Sequence, residues 1–318
     1  MSDGRDSLDR RKRLTPVSTG KRITLQDTDR LWLTTLAEHG PLPTSFLLAY
    51  TASERRSEKR ARERLTDLFH EANTAHGGRY LDRPPQQFRT IDSRYNQLVY
   101  DLAPAGRKAL AIDRKPSPRS GPWLHQFMVA CITASIELAV REHADLSFIP
   151  AAAILDRAGT TLRCPVSFIE PGTRRPITKD LIPDGLFGLQ YRTPAGDRFR
   201  FFLVEADRAT EPAGSGTWHR KSLRRTFLQY QAYIGGGRYR EHLRLTAPLL
   251  VLTVATSPER VERMLRLVQS DVPEAAPYLL FQSWDDFGAV FRPPEPNVRL
   301  LTDPWRRAAD SRFSIDRA

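Results

Sequence analysis

The chain has 318 residues, of which 40% are hydrophobic and 27% are charged. This length suits two domains with sizeable cores, and the composition excludes collagenous, low-complexity and wholly disordered proteins. The 49 Lys and Arg residues outnumber the 37 Asp and Glu residues, and the formal charge of +12 predicts a polyanionic partner. Residues 1–120 contain 23 of the basic and 15 of the acidic residues, so most of the excess lies in the first third of the chain.

Several classes of protein are not expected from the sequence. No apolar run approaches the roughly 20 residues that span a bilayer, and the N-terminus lacks the apolar core of a signal peptide. The two cysteines, Cys131 and Cys164, cannot form a disulfide framework, and their spacing matches no zinc motif. We therefore expect a cytoplasmic protein without membrane insertion.

The N-terminal third begins with a polar, basic segment. Residues 1–24 include the basic run 10–13 and few apolar residues, which predicts a disordered arm. Such an arm is either a solvated tail or a segment that contacts phosphates. From Leu25 the apolar spacing becomes helical, with Asp27 as the N-cap and a stop at Gly40-Pro41.

Two further helices and a β-hairpin are predicted next. The second helix covers residues 44–50, and the third runs from Ser53 to about Glu71 with an apolar stripe on one face. Strand-like runs follow at 87–91 and 97–102, and a helix then ends near residue 112. Three short helices and a hairpin predict a winged helix-turn-helix domain over residues 25–113.

The third helix is the predicted contact with double-stranded DNA, because a recognition helix lies in the major groove. Its outer face has four basic residues suited to phosphates and base edges: Arg55, Arg56, Lys59 and Arg60. The alternative is an ordinary solvated helix, since Glu54, Glu58 and Glu63 lie among these cations.

A Pro-, Ser- and Gly-containing linker at 114–122 separates this domain from the next. An apolar helix from Trp123 to about His143 precedes strand-like runs at 161–169, 181–191 and 198–205, with a hairpin turn at 193–197. A helix (217–234), a strand (248–254), a helix (258–269) and a strand (278–282) continue the pattern. We predict an α/β domain with a central mixed sheet over residues 123–300, a tail at 301–318, and an α+β protein overall.

Three carboxylates are predicted to meet at one edge of this sheet. Glu205 and Asp207 lie two residues apart at the end of an apolar strand, so that both side chains project to the same side. Asp184, on the preceding strand, reaches the same place across the hairpin. Such carboxylates suit Mg²⁺ or Mn²⁺, and a metal there can stabilise charge on a scissile phosphate. The alternative is that all three are solvated strand-end charges.

The helix predicted at 217–234 has a polar stripe of Lys221, Arg225 and Gln229 at i, i+4 and i+8. If this stripe borders the carboxylates, it can hold phosphates or a metal-bound water. Without that neighbour it is the polar face of an amphipathic helix.

This order of elements resembles the restriction-endonuclease-like fold and, more specifically, the replication-relaxation family of plasmids and other mobile elements. The resemblance covers roughly residues 25–290. It rests on the winged-helix start, on the Lys/Arg-rich helix with Tyr230 and Tyr233, and on the segments Tyr100–Gly106, Pro183–Gly185 and Phe202–Glu211.

The resemblance implies a role in plasmid replication, mobilisation or conjugation, and a relationship to MOBC-type relaxases, which cut DNA with a metal. It implies double-stranded DNA and other relaxosome or replication proteins as partners, and it maps Asp184, Glu205 and Asp207 onto acidic metal positions. The general nuclease pattern has Lys two residues after the acid, where this chain has Asp207. That acid fits the relaxase-like variant or marks a site that has lost catalysis. In a catalytic site, Lys221 would supply the cation from a different position in the sequence.

Two main functions follow from the sequence, beside a third possibility, a purely structural partner of another relaxase. The first is a DNA-binding protein whose second domain nicks DNA, with Asp184, Glu205 and Asp207 holding the metal and Lys221 or Arg225 steadying phosphate charge. The second is a non-catalytic replication accessory factor or transcriptional repressor with a degenerate nuclease fold.

Overall fold

The computed structural model describes residues 12–54, 57–71, 77–88, 97–112, 122–170, 173–208, 222–287, 292–308 and 311–318. These residues form two compact units, and their division falls inside a long helix, between Ala134 and Ser135. Residues 292–296 belong to the first unit and residues 297–318 to the second. Apart from Pro122, the predicted linker lies outside the described residues.

The first unit is a helical layer with a small antiparallel sheet. Its sheet has the strand order β1-β3-β2, so the last strand lies between the first two. The elements that precede the long helix are α1 (Asp27–His39), β1 (Leu42–Pro43), α2 (Thr44–Tyr50), α3 (Glu58–His70), β2 (Leu81–Asp82), β3 (Val99–Leu102) and α4 (Pro104–Ala109).

The structure confirms the second predicted helix at 44–50 and shortens the third. Helix α3 begins after Ser57, whose hydroxyl accepts a hydrogen bond from the Arg60 N–H at 3.4 Å and caps the helix. Its predicted apolar stripe is buried, at Ala61, Leu65, Leu68 and Phe69. Arg55 and Arg56 lie outside the described residues.

The strand predicted at 87–91 is wrong for its first two residues, because Pro85–Phe88 form a 3₁₀ turn. Pro85 has no N–H and a fixed φ, both of which suit the first position of a helical turn. The side chain of Gln87 then takes the place of a strand partner. Its amide donates to the Val99 carbonyl and accepts from the Val99 N–H, each at 2.8 Å.

Gly106 is required where α4 approaches the rest of the first unit. A Cβ at this position would lie 2.5 Å from both the Tyr80 carbonyl oxygen and Leu102 Cδ1. The Ala103 N–H also donates to the Tyr80 carbonyl, at 3.1 Å. The segment Tyr100–Gly106 therefore closes the small sheet by bringing a helix start against the backbone at Tyr80.

Within the predicted arm, residues 17–19 are bonded to the end of α3. The carboxylate of Glu71, which is fully buried, accepts hydrogen bonds from the Ser18 hydroxyl (2.8 Å), the Thr19 N–H (3.0 Å) and the Thr19 hydroxyl (2.9 Å). The Val17 N–H donates to His70 Nδ1 at 3.0 Å. Few apolar residues mark this segment, and its attachment to α3 is polar.

The long helix α5 (Trp123–Arg141) has 19 residues, and by length and composition alone it could cross a membrane. This differs from the expectation that no such segment exists. In the structure, 67% of its most apolar 18-residue window is buried inside the protein, which is typical of a core helix.

The second unit contains the predicted central mixed sheet, with strand order β12-β11-β10-β9-β8-β7-β4. The elements that follow α5 are β4 (Leu146–Pro150), α6 (Ala151–Ala158), β5 (Cys164–Ile169), β6 (Pro176–Leu181), β7 (Gly185–Tyr191), β8 (Arg198–Asp207), α7 (Leu223–Tyr230), α8 (Arg238–His242), β9 (Leu249–Ala255), α9 (Pro258–Asp271), β10 (Leu279–Ser283), α10 (Arg299–Thr302), β11 (Trp305–Arg306) and β12 (Arg312–Phe313).

Strand β8 lies between an antiparallel and a parallel neighbour. It pairs antiparallel with β7 through the predicted hairpin and parallel with β9, which in turn pairs parallel with β10. One core cluster joins Leu203, Val251 and Leu279 of these strands to the apolar residues of α7 and α9. The carboxyl ends of β8, β9 and β10 therefore meet at one edge of the sheet.

The strand predicted at 161–169 is observed as the shorter strand β5, which does not belong to the central sheet. Strand β5 starts at Cys164 and pairs with β6 in a separate two-stranded sheet, in which buried and exposed residues alternate along β5. This alternation is expected of a strand with one covered face. The central sheet instead contains β4, which the sequence did not predict.

A substitution tests the bonded N-terminal segment. We expect Glu71→Ala to lower the free energy of unfolding by about 1–3 kcal/mol, because it removes a buried carboxylate that accepts three hydrogen bonds from Ser18 and Thr19. The amide of Thr19 should also lose protection in hydrogen exchange. The matched control is Glu63→Ala, which removes an exposed carboxylate from the same helix. Equal effects of the two substitutions would show that Glu71 does not hold this segment.

Candidate functional site

The acidic site lies at the carboxyl end of β8, where the hairpin register brings two acids together. Gly185 pairs with Val204, and the Asp184 N–H donates to the Val204 carbonyl at 3.1 Å. Asp184 therefore lies opposite Glu205, at the open end of the ladder. On the other side of β8, Glu205 pairs with Thr253 of β9.

Asp184 is fixed by the backbone of the strand beside it. Its Oδ2 accepts a hydrogen bond from the Ala206 N–H at 3.0 Å, and its side chain is half-buried. The residue comes directly before β7, after Pro183. The bond to Ala206 holds the carboxylate over the end of β8, next to Glu205.

Glu205 is bonded to a tyrosine from helix α7. The hydroxyl of Tyr230 donates to Glu205 Oε1, and the Tyr230 side chain is completely buried. Burial raises the pKa of Tyr230 well above its usual value, and the charges of Glu205 and Asp184 raise it further. Tyr230 therefore keeps its proton and acts as a hydrogen-bond donor that orients Glu205.

Asp207 makes an ion pair that the sequence did not predict. Its carboxylate binds the guanidinium of Arg260 through two hydrogen bonds, Nε to Oδ2 at 2.6 Å and Nη2 to Oδ1 at 3.1 Å. Both side chains are buried, with 7% and 9% of their surfaces exposed. Asp207 is therefore held in a fork-shaped ion pair that ties β8 to the start of α9.

Two of the three predicted metal ligands fit a divalent cation. Mg²⁺ commonly binds through one or two carboxylates and keeps several waters, and Asp184 and Glu205 supply such a pair. The hydroxyl of Thr253, beside Glu205, is a further oxygen at this position; it is buried and makes no hydrogen bond to the described residues. Asp207 is a poorer donor for a cation, because both of its oxygens already accept hydrogen bonds from Arg260. No group of three or more His, Cys, Asp or Glu side chains within the described ranges could hold a metal.

The two residues of the predicted polar stripe that the structure describes are both buried. Lys221 lies outside the described residues, and Arg225 is buried, with 9% of its surface exposed. Gln229 is also buried, and its Nε2 donates to the Lys179 carbonyl of β6 at 3.1 Å. The burial of Arg225 argues against the predicted contact with a DNA phosphate, and Gln229 joins α7 to the small two-stranded sheet.

Two residues of this site were missed in the sequence, although each has a recognisable signal. Tyr230 was named as part of the family resemblance, without a role at the acids, although a buried tyrosine hydroxyl usually has a hydrogen-bond partner. Arg260 lies in the first turn of α9, after the Ser257 cap. A cation in the first turn is unfavourable beside the helix dipole, so that a buried arginine there indicates an acidic partner.

The candidate nucleic-acid surface is the exposed face of α3 in the first unit. Lys59 and Arg60 are exposed on this face. The helix is fixed against α1 by Arg64, whose Nη2 lies 2.5 Å from Oδ2 of the fully buried Asp29. A groove of about 650 Å³ runs beside α3 and is lined by Lys21, Glu58, Lys59, Arg62, Glu63, Thr66 and Asp67.

The ion pair between Asp207 and Arg260 can be tested by a double-mutant cycle. Asp207→Leu or Arg260→Met alone should lower the free energy of unfolding by about 3–5 kcal/mol, because each leaves a buried charge without its partner. The double variant should recover much of that loss, as measured by denaturant unfolding.

The matched control for this cycle is the exposed pair of Arg163 and Asp180, whose side chains are 67% and 35% exposed. Its single variants should cost at most about 1 kcal/mol. Equal costs at the two pairs would contradict a structural role for Arg260.

Comparison with known proteins places the chain in a family. A sequence model of the replication-relaxation family matches residues 33–247, a range that contains α3, Asp184, Glu205 and Tyr230. No curated protein and no solved structure matches the chain. The family match indicates a role in replication or mobilisation. Because the matched range covers more than half of the chain, the protein belongs to the replication-relaxation family.

Proposed function

We propose that the protein binds double-stranded DNA of a replicating or mobilised element and makes a metal-dependent strand break in it. The observation that carries this proposal is the pairing of Asp184 with Glu205 at the carboxyl end of β8, with Tyr230 bonded to Glu205. Two oriented carboxylates at the end of a central sheet suit a cation and a phosphate.

The first unit is the proposed DNA-binding part. Its order of helix, strand, two helices and two strands, with β3 between β1 and β2, supports a winged helix-turn-helix. Helix α3 is then the recognition helix, with Lys59 and Arg60 directed to the major groove or its phosphates. Arg55 and Arg56, which precede α3 in the sequence, are proposed to extend this surface.

The second unit is the proposed nicking part. Asp184 and Glu205 would hold Mg²⁺ or Mn²⁺, which supplies stabilisation of charge at a scissile phosphate. Tyr230 keeps the Glu205 carboxylate in one orientation, and the Ala206 N–H does the same for Asp184. Lys221 is proposed to supply the cation that the general nuclease pattern places two residues after the acid.

The ion pair of Asp207 with Arg260 favours a second candidate function. It reduces the predicted group of three acids to two, as expected if the nuclease fold has lost catalysis. The protein would then be a DNA-binding replication accessory factor or transcriptional repressor. DNA binding is common to both functions, and cleavage separates them.

The DNA-binding surface is tested by Lys59→Ala/Arg60→Ala in the full chain. The affinity for duplex DNA should fall, and the slope of log K against log salt should decrease by about one for each phosphate contact removed. The control is Arg30→Ala/Lys108→Ala, which removes two exposed cations from other helices of the first unit. A slope that changes no more than in the control would reject α3 as the recognition helix.

Nicking is tested on supercoiled plasmid with a cognate origin, with Mn²⁺ or with EDTA. Asp184→Asn and Glu205→Gln should each slow nicking by about 100-fold or more, the effect of losing one group that stabilises transition-state charge. Tyr230→Phe should slow it by about 10-fold and raise the Mn²⁺ concentration needed, because a group that orients a ligand is lost.

The control for the loss of one carboxylate is Glu241→Gln, which replaces an exposed acid of α8. This variant should nick DNA at the rate of the natural protein. Absence of nicking in the natural protein, with DNA binding intact, would select the non-catalytic function.

A further inference from the structure

A second basic site lies in the second unit, around the ring of Phe313. The Cζ atoms of Arg200 and Arg307 lie 4.9 Å and 4.8 Å from the centre of this ring. Arg200 also lies 5.5 Å from the ring centre of Tyr191. We call Arg200, Arg307 and Phe313 the Phe313 cluster.

The C-terminal segment builds this cluster by returning to strands β7 and β8. The hydroxyl of Tyr191 donates to the Ile315 carbonyl at 2.7 Å, and the Ile315 side chain is fully buried. Arg200 Nη1 donates to the Arg317 carbonyl at 2.9 Å. These contacts fix the C-terminal segment against β8 and hold the two guanidinium groups on one ring.

Neither Arg200 nor Arg307 has an acidic partner within 4.0 Å in the part of the chain that the structure describes. Arg163, Arg260 and Arg306 of the same unit are all paired, with Asp180, Asp207 and Glu262. The nearby carboxylate of Asp316 lies 3.9 Å from Arg317 Nε and its charge acts on Tyr191.

The two unpaired guanidinium groups also act on each other. Burial lowers the pKa of Arg307, and the charge of Arg200 lowers it further. The Nε of Arg307 is buried and makes no hydrogen bond within the described ranges. Two like charges in a half-buried position are unfavourable alone, and an anion between or beside them would stabilise both.

We propose that the Phe313 cluster binds phosphodiester groups of the DNA backbone. A guanidinium stacked on an aromatic ring keeps its edge donors available, and these match a phosphate in a two-bond fork. Arg198 and Arg312, which are exposed and lie on β8 and β12, add charge of the same sign. The proposal rests on the DNA partner proposed above, but not on cleavage.

This site is separate from the acidic site. Arg200 precedes Glu205 by five residues on β8, which corresponds to about 17 Å along a strand. Because successive side chains alternate between the two faces, Arg200 and Glu205 project to opposite faces of the sheet. The cluster is therefore a second place at which DNA contacts the protein.

The test is Arg200→Gln/Arg307→Gln in the full chain, measured by duplex binding over a series of salt concentrations. Loss of two phosphate contacts should decrease the slope of log K against log salt by about 1.8. The control is Arg141→Gln/Arg163→Gln, which removes the same charge from two exposed ion pairs and should leave the slope almost unchanged.

If Arg200→Gln/Arg307→Gln lowers the stability of the protein, a second variant that preserves the two charges provides the test. Arg200→Lys/Arg307→Lys should retain the slope and bind DNA several-fold more weakly, because lysine lacks the planar fork. The Phe313 proposal would be overturned, with the proposed function unaffected, by either of two results. One is a Lys variant that binds DNA with the affinity of the natural protein; the other is a Gln variant whose salt slope equals that of Arg141→Gln/Arg163→Gln. If the natural protein binds no duplex, both this proposal and the proposed function fail.

Discussion

The register of the β7–β8 hairpin determines which acidic side chains can meet. A shift of one residue would turn every side chain of a strand to the other face of the sheet. The observed register places Asp184 opposite Glu205, and parallel pairing with β9 places Thr253 on the other side of Glu205. The position of the acidic site therefore depends on backbone pairing and on the apolar core that fixes it. The acids themselves contribute little to that pairing, since they lie at its open end.

The ion pair between Asp207 and Arg260 shows why acids of similar spacing need not have the same role. Glu205 and Asp207 are two residues apart on one strand, but α9 begins beside the end of β8 and brings Arg260 to Asp207. Burial makes this pair structural, because a charge removed from water needs its partner. Glu205 instead faces a neutral hydrogen-bond donor, Tyr230, which orients the carboxylate without neutralising it. The two acids therefore differ in the group that contacts them, a guanidinium for Asp207 and a tyrosine hydroxyl for Glu205.

Local pattern was enough to predict most of the architecture, and the failures have physical causes. Apolar spacing and turn residues were enough to predict helix α2, the β7–β8 hairpin, and the alternation of strands with helices from β8 to β10. Strand β4 was missed because its five residues lead directly into helix α6, with no turn residues between them. The contacts of the N-terminal segment with α3 were missed because Ser18 and Thr19 bind Glu71 through polar groups, which leave no apolar pattern in the sequence. For the site, the meeting of Asp184 and Glu205 followed from strand pairing. The partner of Asp207 did not, since Arg260 is 53 residues away in the chain.

The distribution of ion pairs adds a constraint that net charge alone does not show. The first third of the chain holds most of the positive excess, but the groove beside α3 has three cations and three acids among its described lining residues. The Phe313 cluster lies in the less basic part of the chain, where Arg163, Arg260 and Arg306 are paired with acids. Phosphate binding depends on cations that remain without an internal partner, because a paired guanidinium must first lose its carboxylate. Under the proposed function, the mixed charge beside α3 would therefore contribute less to general backbone binding than Arg200 and Arg307, which have no acidic partner within 4.0 Å among the described residues.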